Sequence, residues 1–230
     1  MSGAIKDAES DRSIQTLVLK SSKPTIFSAG LDILEMKEPQ LDRLKKFWSS
    51  FQQLYVDLYG SRLACIASIQ GHAPAAGCML ALSCDYRIMS ASSESSAPTI
   101  GLNESKLGIV APPWLGQQFI DTIGRRRAEK ALTLGTLFTP EQALAMDLVD
   151  EVVPADQVEE RAVEAAHEWA KIPPAARVAS KMLIRQDRLN DMKAKRQADL
   201  DHFVGFVTNE KTQASLKAYL ELLASKGRKK

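Results

Sequence analysis

Residues 71–89 read GHAPAAGCMLALSCDYRIM, and the succession of residue types in that stretch sets the fold class. Residues 71–76 are small and turn-prone, which makes a loop. Residues 79–82 (MLAL) continue as an apolar helix, and residues 85–89 (DYRIM) read as a strand. Just upstream, residues 63–69 (LACIASI) form an apolar run of strand length, bounded by polar residues. Strand, small-residue loop, helix and strand in succession are the unit of an α/β protein.

The pattern repeats on either side. Residues 14–19 (IQTLVL) are a strand ending in a Ser-Ser-Lys-Pro turn, and residues 4–9 read as the last turn of a helix. Ile26-Phe27 runs into a second small-residue loop, Ser28-Ala29-Gly30. Leu41, Leu44, Trp48, Phe51, Tyr55 and Leu58 then recur at three- and four-residue steps, the stripe of a long amphipathic helix. Downstream, residues 90–97 (SASSESSA) are a polar loop, and Thr99-Ile100 a short strand before Gly101-Leu102-Asn103-Glu104. From Pro112 the chain is mostly helical. A short helix at 141–145 and a strand at 149–153 lead to Pro154, which opens a further helix at its first turn. Two long helices at 175–187 and 193–207 and a third at 210–226 close the chain, giving an α/β core with a helical C-terminal region.

Composition narrows the classes of function. The 230 residues are 45% hydrophobic and 25% charged, ordinary values for one globular domain. A net charge of +2 is no nucleic-acid signature. The basic run at 226–230 reads as a solvated tail. Cys65, Cys78 and Cys84 are odd in number and lack CxxC spacing, so neither a disulfide framework nor a metal site is indicated. No apolar stretch is long enough to span a bilayer. The polar N-terminus resembles neither a secretory signal nor a transit peptide.

The chain contains no P-loop, HExxH, GxSxG or GxGxxG motif. His72, His167 and His202 are scattered, the last two among charges. Catalysis then falls to carboxylates, backbone amides or both. The loops at Ala29 and Ala76 each follow a strand and open a helix, where backbone N–H groups are free. Two such loops side by side could hold an oxygen bearing developing negative charge. The same small residues also serve tight turns and close packing. Glu104 stands between Leu102 and an apolar helix start. There it is either a charge that favours a helix N-terminus or a half-buried acid/base.

Taken together, FSAGLD (27–32), PAAGCMLALSCDYRI (74–88), IGLNESKLGIVAPPWL (100–115) and EQALAMDLVDEVVP (141–154) resemble the crotonase (enoyl-CoA hydratase/isomerase) superfamily. The third segment is most similar to the mitochondrial Δ3,Δ2-enoyl-CoA isomerases. The resemblance implies a crotonase-like spiral core of ββα units over residues 1–172 and a helical oligomerisation region over 173–230. In that family further strands precede the one at 14–19, so the core is expected to lack its first strands. The amides of Ala29 and of Ala76, where the family commonly has Gly, are the implied oxyanion-hole donors. Ala29, Gly30, Leu31, Asp32 and Ile33 are implied to lie along the thioester and pantetheine. Leu102, Leu107, Ile109 and Trp114 are implied to line the acyl pocket and to raise the basicity of Glu104.

Hydratases of the family use two glutamates. Here Met79 occupies the first position, leaving Glu104 alone, which suits a one-base proton shift better than addition of water. The implied activity is isomerisation of 3-cis- or 3-trans-enoyl-CoA to trans-2-enoyl-CoA in fatty acid β-oxidation. No metal or cofactor is implied, coenzyme A being part of the substrate. The alternatives are a hydratase or thioesterase of the same superfamily, or a silent acyl-CoA-binding paralogue. A homotrimer in the mitochondrial matrix is the implied setting, without nucleic-acid partners.

Overall fold

The strand ladders run parallel among the described residues, so each connection must cross over the sheet rather than turn back in a hairpin. The structure, a computed structural model, describes residues 1–94 and 96–227. In chain order, α1 (Ser2–Ser10), β1 (Thr16–Lys20), α2 (Leu41–Tyr59), β2 (Ala64–Ile69), β3 (Ala73–Pro74), α3 (Ala76–Ser83), β4 (Tyr86–Ser90) and β5 (Ile100–Gly101) build the first half. The second half comprises α4 (Pro113–Ile123), α5 (Arg125–Leu134), α6 (Pro140–Leu144), β6 (Glu151–Val153), α7 (Val158–Ala170), α8 (Pro174–Val207) and α9 (Glu210–Gly227). Ser95 of the polar loop and Arg228, Lys229 and Lys230 of the basic tail lie outside the described residues.

One sheet runs β1-β2-β4-β6, and β3 pairs with β5 in a second, two-stranded sheet. β2 is central and every residue in it is buried, as a strand covered on both faces must be. Its side chains divide with period two. Ile66 packs with Ile88 of β4 against Val158, Ala162 and Ala165 of α7. Cys65, Ala67 and Ile69 face the main core with Tyr55 and Leu58 of α2 and Met79 and Ala81 of α3. The α2 stripe is buried at Leu44, Trp48, Phe51, Tyr55 and Leu58 but not at Leu41, which is exposed. α3 is buried all round, so it threads the core rather than lying on its surface. β1 forms one edge of the larger sheet.

Two helix boundaries differ from the sequence expectation. Residues 175–187 and 193–207 belong to one 34-residue helix, α8, because residues 188–192 include neither Gly nor Pro to stop it and Leu189 and Met192 continue its buried face. Pro154 does not open a helix. It leads a turn closed by the Gln157 N–H on the Pro154 carbonyl, and α7 begins at Val158. α8 is tied to the sheet by a buried carboxylate. Asp85 accepts from Lys181 Nζ at 2.7 Å and Arg185 Nη2 at 2.9 Å. It also accepts the Cys65 N–H at 2.7 Å. α9 folds back over the loop after Gly30, burying Leu216 against Met36, Leu44 and Val207. No helix among the described residues is long and apolar enough to cross a membrane.

Candidate active site

Two glycine-dependent contacts bring the two small-residue loops together. Thr25 accepts the His72 N–H at 3.1 Å, and the His72 carbonyl accepts Phe27 N–H at 2.9 Å, so the loops run alongside each other. A Cβ on Gly71 would lie 2.1 Å from the Thr25 carbonyl carbon, and one on Gly77 would lie 2.5 Å from the Ser28 oxygen. Neither contact tolerates a side chain. Gly30 is needed for its backbone instead, since it takes φ +98, a conformation that L side chains rarely adopt.

Ala76 is the first residue of α3, and its N–H has no acceptor among the described residues. The Ala29 N–H likewise has none. Both residues line one cavity of about 100 Å³. The left-handed backbone lies one residue earlier than Ala76. Ala75, at φ 51 and ψ −118, makes the turn, pinned by its N–H on the Gly101 carbonyl at 2.8 Å. Such backbone in a non-glycine residue costs on the order of 1–3 kcal/mol and persists only where the surroundings hold it. Contrary to the sequence reading, the Ala29 loop opens no long helix. It leads into a 3-10 turn, Ile33–Glu35, capped by Asp32, whose Oδ1 accepts the Leu34 N–H at 2.9 Å.

Glu104 reaches the same cavity from the other strand of the small sheet. Ala73 pairs with Ile100 and Pro74 with Gly101. The chain leaves this parallel ladder at the same end on both strands. Ala76, two residues on, and Glu104, three residues on, therefore meet in one hollow. Glu104 begins a 3-10 turn, Glu104–Leu107, and Gly108 ends it in the left-handed conformation. Glu104 is 8% exposed as a residue, and its buried Oε2 has no hydrogen-bond partner. Burial pushes its pKa up to about 7.

The cavity collects most of the residues singled out from the sequence. Ala29, Leu31, Ile33, Ala76, Glu104, Leu107 and Ile109 line it. Gly30 serves the loop approach and Asp32 the cap. Leu102 is buried in the core. Trp114 is not on the cavity wall. Its ring packs 5.5 Å from Phe51 and 4.4 Å from Tyr55 and borders a different groove. Met36, Trp48, Phe51, Asn103, Val110 and Tyr219 also line the cavity without having been picked out. Trp48 and Phe51 read as core stripe, and which face a stripe turns to a hollow emerges only on packing. Tyr219 comes from α9, far along the chain, with no local signal. Met79 is fully buried and absent from the wall, so Glu104 is the carboxylate there. Among the described residues, no three His, Cys, Asp or Glu side chains converge as a metal site would require.

A parallel α/β core with free backbone amides and one buried carboxylate around a hollow is an arrangement able to stabilise an oxyanion while a proton moves. Residues 1–227 match the family profile described as Enoyl-CoA hydratase/isomerase, and the chain belongs to that family. The chain is 45% identical over 223 residues to rat mitochondrial enoyl-CoA delta isomerase 1, covering 97% of this chain and 76% of the relative. The human protein of that name is 41% identical over 220 residues, covering 96% and 72%. The crystal structure of human mitochondrial delta3-delta2-enoyl-CoA isomerase superposes with a TM-score of 0.94 at 40% identity, covering 98% of this chain and 86% of that one.

Proposed function

We propose that this chain is an isomerase that converts 3-cis- and 3-trans-enoyl-CoA to trans-2-enoyl-CoA in fatty acid β-oxidation. The observation that carries the reading is the single buried carboxylate of the cavity, Glu104, its Oε2 unpartnered, sharing the space with the free amides of Ala29 and Ala76. In this reading the thioester carbonyl accepts hydrogen bonds from those two amides. Glu104 takes a proton from C2, and the electrons move onto the thioester oxygen as a dienolate. The same carboxyl then delivers the proton to C4, leaving the double bond between C2 and C3. A carboxylate with its pKa near 7 suits both halves, being basic enough to take the proton and acidic enough to return it. The step draws on no cofactor beyond the coenzyme A of the substrate. Residues 29–33 follow the thioester and pantetheine.

The relatives are named as mitochondrial proteins. We place this enzyme in the same organelle, in the matrix. Homotrimeric assembly through residues 173–230 is favoured by Leu183 and Ile184, which are 87% and 80% exposed on α8. Light scattering on the purified protein tests it, a monomer being the adverse result. The function is tested by product analysis with 3-cis- and 3-trans-hexenoyl-CoA and with crotonyl-CoA. Trans-2 product from the first two is expected. Rapid hydration of crotonyl-CoA without any isomerisation would sink the reading, as would full isomerase activity in Glu104→Ala.

A further inference from the structure

Two hollows lie back to back across α2 and α4. The cavity around Glu104 measures about 100 Å³, well under the roughly 300–1,000 Å³ of pockets that enclose small ligands. Beyond its inner wall, a groove of about 640 Å³ runs between α4 and α8. Pro113, Trp114, Met192 and Ala198 give the groove apolar lining, while Asp191 and Lys195 pair with each other at 2.6 Å beside them. Seven of the eleven lining side chains are polar or ionisable, and the apolar stretch among them suits a methylene chain, which needs burial and no hydrogen bonds.

The wall between the hollows is one layer of side chains thick. Phe51 lines the cavity and Trp114 the groove, their ring centroids 5.5 Å apart. Trp48 lines the cavity, and its Nε1–H donates at 2.8 Å to Asp199, which lines the groove. Pro112 and Pro113, adjacent in sequence, face opposite hollows. The wall is held mainly by ring packing, Trp48 stacking on Phe203 with centroids 3.6 Å apart, and its polar ties are few. Trp114 Nε1 has no hydrogen-bond partner, and Asp199 holds a second donor, Gln52 Nε2 at 2.7 Å, that would remain if Trp48 let go.

We propose that the α4–α8 groove is the second compartment of the acyl-binding site, and that the Trp48–Asp199 contact is the gate between the two. Short acyl chains end against the closed gate. Long ones displace the indole and lay their distal methylenes in the groove. The inference rests on the isomerase reading above. It makes Trp48, Asp199 and the groove lining determinants of chain length, while Glu104 and the two amides set the chemistry.

The experiment measures kcat/KM for six-carbon and sixteen-carbon 3-enoyl-CoA thioesters in wild type, Ala198→Trp and Trp48→Phe, with thermal midpoints as a check on folding. Ala198 is exposed, so an indole there fills the groove at little cost to the fold. The long-to-short ratio is expected to fall about tenfold or more, the scale on which apolar pockets discriminate chain length. Trp48→Phe keeps an aromatic ring but loses the bond to Asp199, and the ratio is expected to rise. An unchanged ratio in Ala198→Trp overturns the groove. An unchanged or lowered ratio in Trp48→Phe overturns the gate. Wild type inactive on both chain lengths removes the isomerase reading, and this inference with it, whereas an active wild type with unmoved ratios removes this inference alone.

Discussion

Glu104 is held where its charge is least welcome, and that is measurable in stability as well as rate. Its folded pKa is raised from 4.5 to about 7 by burial. The native state therefore keeps a proton that the unfolded chain gives up, and stability is lost as pH rises through about 7, by on the order of 3 kcal/mol in all. Glu104→Gln has nothing to ionise. Its denaturation midpoint should gain on wild type between about pH 5 and pH 8, and a constant difference would contradict this. Isomerase activity of wild type should rise over the same interval, because the base acts as the carboxylate. The variant should lose about 100–10,000-fold in kcat, the range for a positioned acid/base. Exchanging the Ala76 amide for an ester removes the N–H and keeps the shape. A drop of about 100–1000-fold in kcat, with little change in KM, is expected for one lost oxyanion donor. At Ala75, glycine adopts the positive φ without strain, so Ala75→Gly should raise the thermal midpoint. A fall would show that its backbone is less costly than its geometry implies.

At the scale of elements, close approach and one buried carboxylate do most of the positioning. Gly77→Ala would drive a methyl group into the Ser28 carbonyl and push the Ala29 loop away from α3. Loss of activity should then exceed loss of stability, measured by kcat/KM beside a denaturation curve. Asp85→Ala strands Lys181 and Arg185 in a buried site and frees the Cys65 N–H. About 3–5 kcal/mol of destabilisation follows, as for other broken buried pairs. Elements of this kind are the ones a reader of the sequence can find. Gly and Ala loops beside unbroken apolar runs leave few conformations open, so β2, α3 and the turn at Glu104 are legible from residues 63–104. The continuity of α8 is not. Residues 188–195 are mostly polar, with only Leu189 and Met192 carrying the buried face, yet hydrogen bonding along the backbone carries on where no Gly or Pro intervenes. Trp48 and Trp114 both sit on helical stripes, and only the tertiary arrangement decides that the first faces the Glu104 cavity and the second the groove.

Across the whole molecule, the site depends on a helix more than a hundred residues away from it in sequence. α9 supplies Tyr219 to the cavity wall. It holds the 36–38 segment through Gln213, which donates to the Met36 carbonyl and accepts the Glu38 N–H, both at 2.8 Å. Leu216 is its buried anchor. Leu216→Asp should detach the helix, admit water and bring the Glu104 pKa back toward the ordinary carboxylate range. The pH profile of kcat/KM would then move to lower pH with KM raised. An unmoved profile would mean that α9 contributes packing alone.

The two-residue ladder of β3 and β5 carries a wider consequence. Ala76, proposed to grip the carbonyl, and Glu104, proposed to move the proton, follow different strands and meet beyond a short backbone pairing. Side chains past the end of β5 can be exchanged without disturbing the grip on the thioester. Such a frame lends itself to being re-equipped: one way of activating an acyl thioester, kept intact, can acquire new reactions one residue at a time.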